Sequence, residues 1–468
     1  MAQANIQGCG ATPHSTGRIV ALDVARGIAL LFVCFNHFLD TYSLDPHAQT
    51  NTLLLGLLEF TKMATPMFIF VSSMVLGYLC SVPHKDGPQF RFRLFDRAFF
   101  VATVGHCIIA ATNMYLPQQD FLTALPRQYA TALSRGYVTD TIAFCMIGSL
   151  LVLPYAKVAT RVQVGIGLYL ISWAGWTLWY PDNGVLLLLK GIFFSPNETG
   201  AVSFWFPLLP WFAVYLGGTS IGEWLSRFDG ETLALAGEKL ARRSGVVLCV
   251  AVLMYGALRL CVAVHPTAGV VEMYSRIRDL VSPFNKYPPS PWYLLVFGSA
   301  ALLLIGYTIW KMGETHNQRY LGHFRYLRVL EQVGRNSLPL FMLQFVIYFQ
   351  IFSLLVTRTQ LVTPGRAALF LLLSLLGMAA LGGLCDRLQL NRSWTVGLPA
   401  LMKRWPILTT ALLTTAAKPD DLFRVAAPQW VTPALSPVGQ QQLEEENCVI
   451  AHGALHGKID GMGESRKA

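Results

Sequence analysis

The sequence predicts an all-α fold, a polytopic transmembrane helix bundle of about ten spans (range 9–11), on three observations. Only 13% of the 468 residues are charged and 53% are hydrophobic, whereas a soluble domain carries about 25% charged residues. The mean hydropathy is +0.45. The apolar residues also gather into runs of about 17 to 25, the length at which a helix crosses a hydrocarbon core of about 30 Å.

Taken in order, the runs are 19–41, 59–81, 95–114, 138–156, 162–180, 204–224, 245–264, 291–311, 336–357 and 367–386. The first carries RGIALLFVCFNH, and the third follows the basic stretch FRFRLFDR. The sixth, FWFPLLPWFAVYLGGTSIGEW, mixes proline, glycine and aromatic residues, as a kinked span packed through small side chains would. With the N-terminus inside, the inner loops hold 15 Lys and Arg and the outer loops 8. This excess predicts both termini in the cytoplasm. Residues 1–17 form a polar segment with no apolar core of a removable signal peptide, and 18–388 the membrane domain. Residues 389–417 read as an interfacial or re-entrant segment, and 418–468 as a polar, disordered cytoplasmic tail.

The net charge of +10 and pI near 9.2 do not indicate nucleic acid, because the basic residues lie in short loops between apolar runs. Seven of the nine cysteines fall within spans, with no disulfide framework or metal-ligand spacing. Asn197-Glu198-Thr199 matches the N-glycosylation pattern in an outer loop.

The ionisable residues of the first span carry the chemistry. Arg26 and His37 are eleven positions apart and return to nearly the same helix face roughly 16 Å apart. Asp23 and Asp40 extend that stripe at its two ends. Charged groups inside a span cost roughly 3 kcal/mol or more unless they face protein or water, so they are functional candidates. His37 suits a general base, with Asp40 fixing its tautomer; the structural alternative is a histidine capping a helix end. Arg26 either binds an anionic group such as a phosphate from the cytoplasmic side or neutralises Asp23 as a structural ion pair. Lys62, in the second span, is placed to meet Asp23 or a ligand phosphate. Arg93 and Arg97, at the inner end of the third span, contribute to the same phosphate site or serve as topology and headgroup anchors. His106 reads as a satisfied bundle histidine.

Several stretches together resemble one family. LDVARGIALLFVCFNH, ATPMFIFVSSMVLGY, FPLLPWFAVYLGGTSIG, KYPPSPWYLLVFGSAALLL and VGRNSLPLFMLQF resemble, in this order, bacterial membrane proteins related to the catalytic region of heparan-alpha-glucosaminide N-acetyltransferase. The arginine, ten residues, histidine pattern is similar to the wider acyltransferase-3 and periplasmic-glucan succinyltransferase group. The resemblance implies that acetyl-CoA or another acyl-CoA docks from the cytoplasm and that a sugar hydroxyl or amine receives the acyl group at the far face. It implies a catalytic role for His37 and a matching one for Arg26. In the lysosomal enzyme asparagine stands where His37 is and the active histidine follows about one loop later, which makes His47 a second catalytic candidate. Many relatives have histidine where this chain has Gln344.

The expectation is therefore an integral membrane acyltransferase with His37, Asp40 and His47 as catalytic candidates. Arg26, Lys62, Arg93 and Arg97 would bind acyl-CoA, Asp23 would be an ion-pair partner, and no metal is expected. No cofactor is held permanently; acyl-CoA is a co-substrate. The partners are the lipid bilayer, acyl-CoA, a glycan or other small acceptor and, as an open alternative, a second copy in a homo-oligomer. The location is the bacterial inner membrane. The rivals are a proton-coupled transporter with Asp23, Arg26 and His37 as relay, against which the absence of internal repeats counts, and a scaffold without chemistry, which leaves the stripe unexplained.

Overall fold

Helices α1 to α5 are Val20–Tyr42, Thr52–Thr61, Ala64–Ser81, Pro88–Phe100 and His106–Thr112. Next come α6 Val138–Val152, α7 Val158–Leu178, α8 Gly184–Phe193, α9 Leu208–Leu225, α10 Gly230–Val264 and α11 Ala268–Val281. The series closes with α12 Pro291–Tyr293, α13 Ser299–Glu314, α14 Arg325–Arg335, α15 Ser337–Phe345, α16 Ser353–Thr359 and α17 Pro364–Arg387. The computed structural model describes residues 19–42, 52–81, 88–112, 126, 129–196, 203–264, 268–282, 285–314, 325–359 and 364–387. These all belong to one unit, Met1–Leu401. The predicted segments 1–17, 389–417 and 418–468, the Asn197 triplet and His47 lie outside the described residues.

Among the described residues the fold is all-α, as predicted, apart from a two-residue parallel pairing of β1 Arg135–Gly136 with β2 Ser203–Phe204 and an isolated bridge between Lys286 and Pro289. Among the described residues seven helical stretches are long and apolar enough to cross a membrane: 20–42, 56–81, 90–112, 231–264, 291–313, 337–356 and 365–387. The other three predicted spans are helical too, but differ in kind. At 15 residues α6 reaches only about 22 Å, while α7 and α9 are diluted by polar, glycine and tryptophan residues.

Helix α1 is central, packing on α2, α3, α13, α14 and the helical turn after α15. Its contact with α14 is backbone to backbone. A Cβ on Gly27 would overlap the carbonyl of Leu330, and one on Gly334 would overlap the carbonyl of Asp23. Small residues permit such approaches between membrane helices. Glycines 77 and 222 do the same between α3 and α9, against Thr219 and Met74.

Two kinds of local irregularity shape the bundle. Pro66 has no N–H to give to the carbonyl of Lys62, the chain turns at Lys62 and Met63 between α2 and α3, and the Tyr293 hydroxyl donates to that carbonyl at 2.8 Å. Among the described residues three π-helical stretches, Val101–Gly105, Leu294–Gly298 and Val346–Phe352, interrupt otherwise α-helical spans. Such stretches re-aim side chains and are frequent at functional sites. They adjoin His106, Tyr293 and Phe345 respectively.

Candidate active site

His37 lies in the later half of α1, half-buried, with Nδ1 at 2.6 Å from Gln344 Oε1 on α15. Phe345 and Phe349 flank its ring at centroid distances of 5.2 and 4.9 Å. An amide oxygen accepts only, so in the neutral ring Nδ1 carries the proton and Nε2 keeps its lone pair. Packing therefore fixes the ring plane and the hydrogen bond fixes the tautomer. Gln344 is fully buried, and its Nε2 has no hydrogen-bond partner among the described residues. That nitrogen is a donor beside the imidazole.

Asp40 does not take the tautomer-fixing position. The ring is turned toward α15, where Nδ1 is taken by Gln344, and Asp40 is exposed. Asp40 interacts electrostatically with Glu59, Lys62 and Lys286, and Lys286 also lies within electrostatic range of His37. Lys62 belongs to this end. It pairs with Glu59 at 2.6 Å, and its neighbour Thr61 meets Asn36 at 3.0 Å, about 20 Å along α1 from Asp23 by the rise of 13 positions. Its expected meeting with Asp23, or with a phosphate shared with Arg26, is thereby corrected.

At the other end of α1, Asp23 and Arg26 form an ion pair at 3.4 Å, both largely buried. Arg97 on α4 comes within electrostatic range of Arg26, Asp23 and Tyr215. The Tyr215 hydroxyl is 3.2 Å from the Ser72 hydroxyl, and its ring is fully buried. Among these described residues two guanidiniums face one carboxylate, a balance that favours an anion. Arg93, one turn before Arg97, is exposed.

His106 is held at both nitrogens, by Asp140 at 2.9 Å and by the Leu133 carbonyl at 2.9 Å. Asp140 also accepts from the Tyr137 N–H. Both ring nitrogens are engaged, as expected of a bundle histidine. Among the described residues no group of three or more His, Cys, Asp or Glu side chains could hold a metal ion. Gln344, Lys286 and Tyr215 were missed as site residues. A glutamine within LPLFMLQF is a polar group in an apolar span, and the rule that flagged His37 applies to it equally.

The family profile described as "Heparan-alpha-glucosaminide N-acetyltransferase, catalytic" matches residues 18–255, and that described as "OpgC protein" matches residues 142–387. Both His37 and the Arg26–Arg97 cluster fall within the first, and Gln344 within the second. No curated protein and no solved structure matches the chain.

Proposed function

Because the chain belongs to the membrane acyltransferases of the heparan-alpha-glucosaminide N-acetyltransferase catalytic and OpgC protein families, we propose that it moves an acetyl or other acyl group from cytoplasmic acyl-CoA to a hydroxyl or amine of an extracytoplasmic glycan. The observation that carries this reading is the His37–Gln344 pair, an oriented imidazole joined through one helix to a net cationic cluster roughly 16 Å away.

The donor phosphates bind at Arg26 and Arg97 on the cytoplasmic side, and the thioester reaches along α1 to His37. The acceptor O–H or N–H gives its proton to His37 Nε2 as its oxygen or nitrogen attacks the thioester carbon. The tetrahedral intermediate collapses with cleavage of the C–S bond. The CoA thiolate leaves and takes the proton from His37, so the enzyme is restored. Gln344 Nε2 is a candidate donor to the developing oxyanion, which needs such a group. In this reading both termini are cytoplasmic, the protein resides in the bacterial inner membrane, and Asp40, Glu59, Lys62 and Lys286 line the outer mouth.

Mass spectrometry of envelope glycans from cells fed isotope-labelled acyl precursor, with and without the protein, tests this. Loss of a labelled acyl group from one glycan in the deletion strain, not restored by a His37→Asn copy, is the expected result. Identical glycan profiles in all three strains refute it.

A further inference from the structure

Away from His37, three aromatic residues from distant parts of the chain converge on a recess of about 410 Å³: Trp176 of α7, Trp205 just after β2, and Tyr287, joined by Pro196. Trp205 is 46% exposed and Tyr287 36%, so faces of large rings remain open. Aromatic residues at a membrane surface are commonly anchors in the headgroup layer. Tyr155, 90% exposed, projects singly in that way. The recess rings are instead braced. Trp173 packs edge-on to Trp176 at 4.7 Å. Trp205 follows the strand pairing in which Gly136 leaves room for the Phe204 ring. Tyr287 packs edge-on to Phe206 at 5.0 Å, and the Phe206 carbonyl accepts from Thr141 at 2.9 Å.

Cations sit over the same rings, Arg135 at 5.9 Å from the Trp205 centroid and the Lys286 ammonium at 5.0 Å from that of Tyr287. The chain just after Tyr287 is joined to the His37 end of α1, because the Tyr293 hydroxyl donates to the Lys62 carbonyl at 2.8 Å and the Asn36 amide donates to the Thr61 hydroxyl at 3.0 Å; Lys286 also lies within electrostatic range of His37 and Asp40. A rigid concave site with flat apolar walls and a polar rim fits a ligand that has one flat C–H face and an edge of hydroxyls. A pyranose ring has that form.

We propose that the recess between Trp176, Trp205 and Tyr287 is the acceptor subsite, binding a sugar ring of an oligosaccharide by stacking and presenting the neighbouring residue past Lys286 to His37. This rests on the acyltransferase reading above and adds the place and mode of acceptor binding.

The test is saturation-transfer NMR on the full-length protein in nanodiscs without acyl donor, using cellopentaose and glucosamine as probes. Wild type and His37→Asn should bind cellopentaose equally, and Trp205→Ala and Tyr287→Ala about tenfold or more weakly. Trp205→Phe keeps a ring and should stay within about threefold of wild type. Acyl-CoA affinity should be unchanged throughout. The subsite is overturned if wild type binds neither sugar. It is overturned equally if Trp205→Ala binds cellopentaose as wild type does, or if sugar and acyl-CoA affinities fall together in both Trp205 variants. Failure of the catalytic reading is separable, because it appears as a His37→Asn protein with normal acyl transfer whatever the sugar titrations give.

Discussion

Replacing Gln344 with leucine keeps the side-chain volume close and removes the acceptor 2.6 Å from His37 Nδ1. Gln344 is fully buried, so water does not readily replace it. An orphaned N–H in such a place costs about 1–3 kcal/mol. The ring escapes this cost by moving its proton to Nε2 or by rotating between Phe345 and Phe349, and either change takes the lone pair from the position where the acceptor must meet it. If that cost appears in the barrier, kcat falls by about 5- to 150-fold, at 1.4 kcal/mol per factor of ten. The assay is the initial rate of labelled acetyl transfer by purified protein at saturating donor, with acyl-CoA affinity and melting temperature measured on the same preparation. Both should remain near wild type. A Gln344→Leu protein whose kcat stays within twofold would refute the idea that this amide sets the state of His37.

Three further outcomes follow from the geometry. Arg97→Ala should weaken acyl-CoA binding by about 10- to 150-fold, the loss of a charge-assisted contact of about 1.5 to 3 kcal/mol, while Arg93→Ala stays within twofold; equal losses in equilibrium binding would disprove the separate roles of the two arginines. Gly334→Ala drives a methyl group into the Asp23 carbonyl and should destabilise the protein by about 1–3 kcal/mol, seen as a lower melting temperature. Gly377→Ala, with nothing within 4 Å of its added Cβ, should not, and a similar drop for both would remove the close-approach explanation. In a cysteine-depleted background, a membrane-impermeant maleimide added to intact cells should label Ser275→Cys and spare Leu235→Cys; the reverse would invert the topology and with it the direction of transfer.

The fold was legible because length and hydropathy report directly on spans, and helices stand at all ten predicted places. Their interruptions were not, since a π stretch such as Val346–Phe352 has no hydropathy signature. The site was legible only where it lay along one helix. Helical periodicity places Arg26 and His37 on a common face, but the partner of each comes from elsewhere: Arg97 from α4, and Gln344 from 307 residues away. Nearness in sequence points to Asp40 as the partner of His37, but the ring faces another helix and its Nδ1 is taken by Gln344. Lys62 shows another limit, because its polarity is legible but its pairing with Glu59, three residues before it, is overlooked when a partner is sought on another helix.

The length of α1 between Arg26 and His37 has a consequence for how this protein can vary. A helix behaves as a gauge whose settings are discrete. One inserted residue adds about 1.5 Å and swings everything beyond it by about 100°, which would carry His37 away from Gln344. Seven residues restore the face but add about 10 Å. The distance between the two ends of the stripe can therefore not be tuned gradually, and the Gly27–Leu330 and Gly334–Asp23 contacts prevent α1 from sliding past α14 to compensate. Changes in which molecules are served must come from the walls around α1, while the helix itself admits only side-chain exchange.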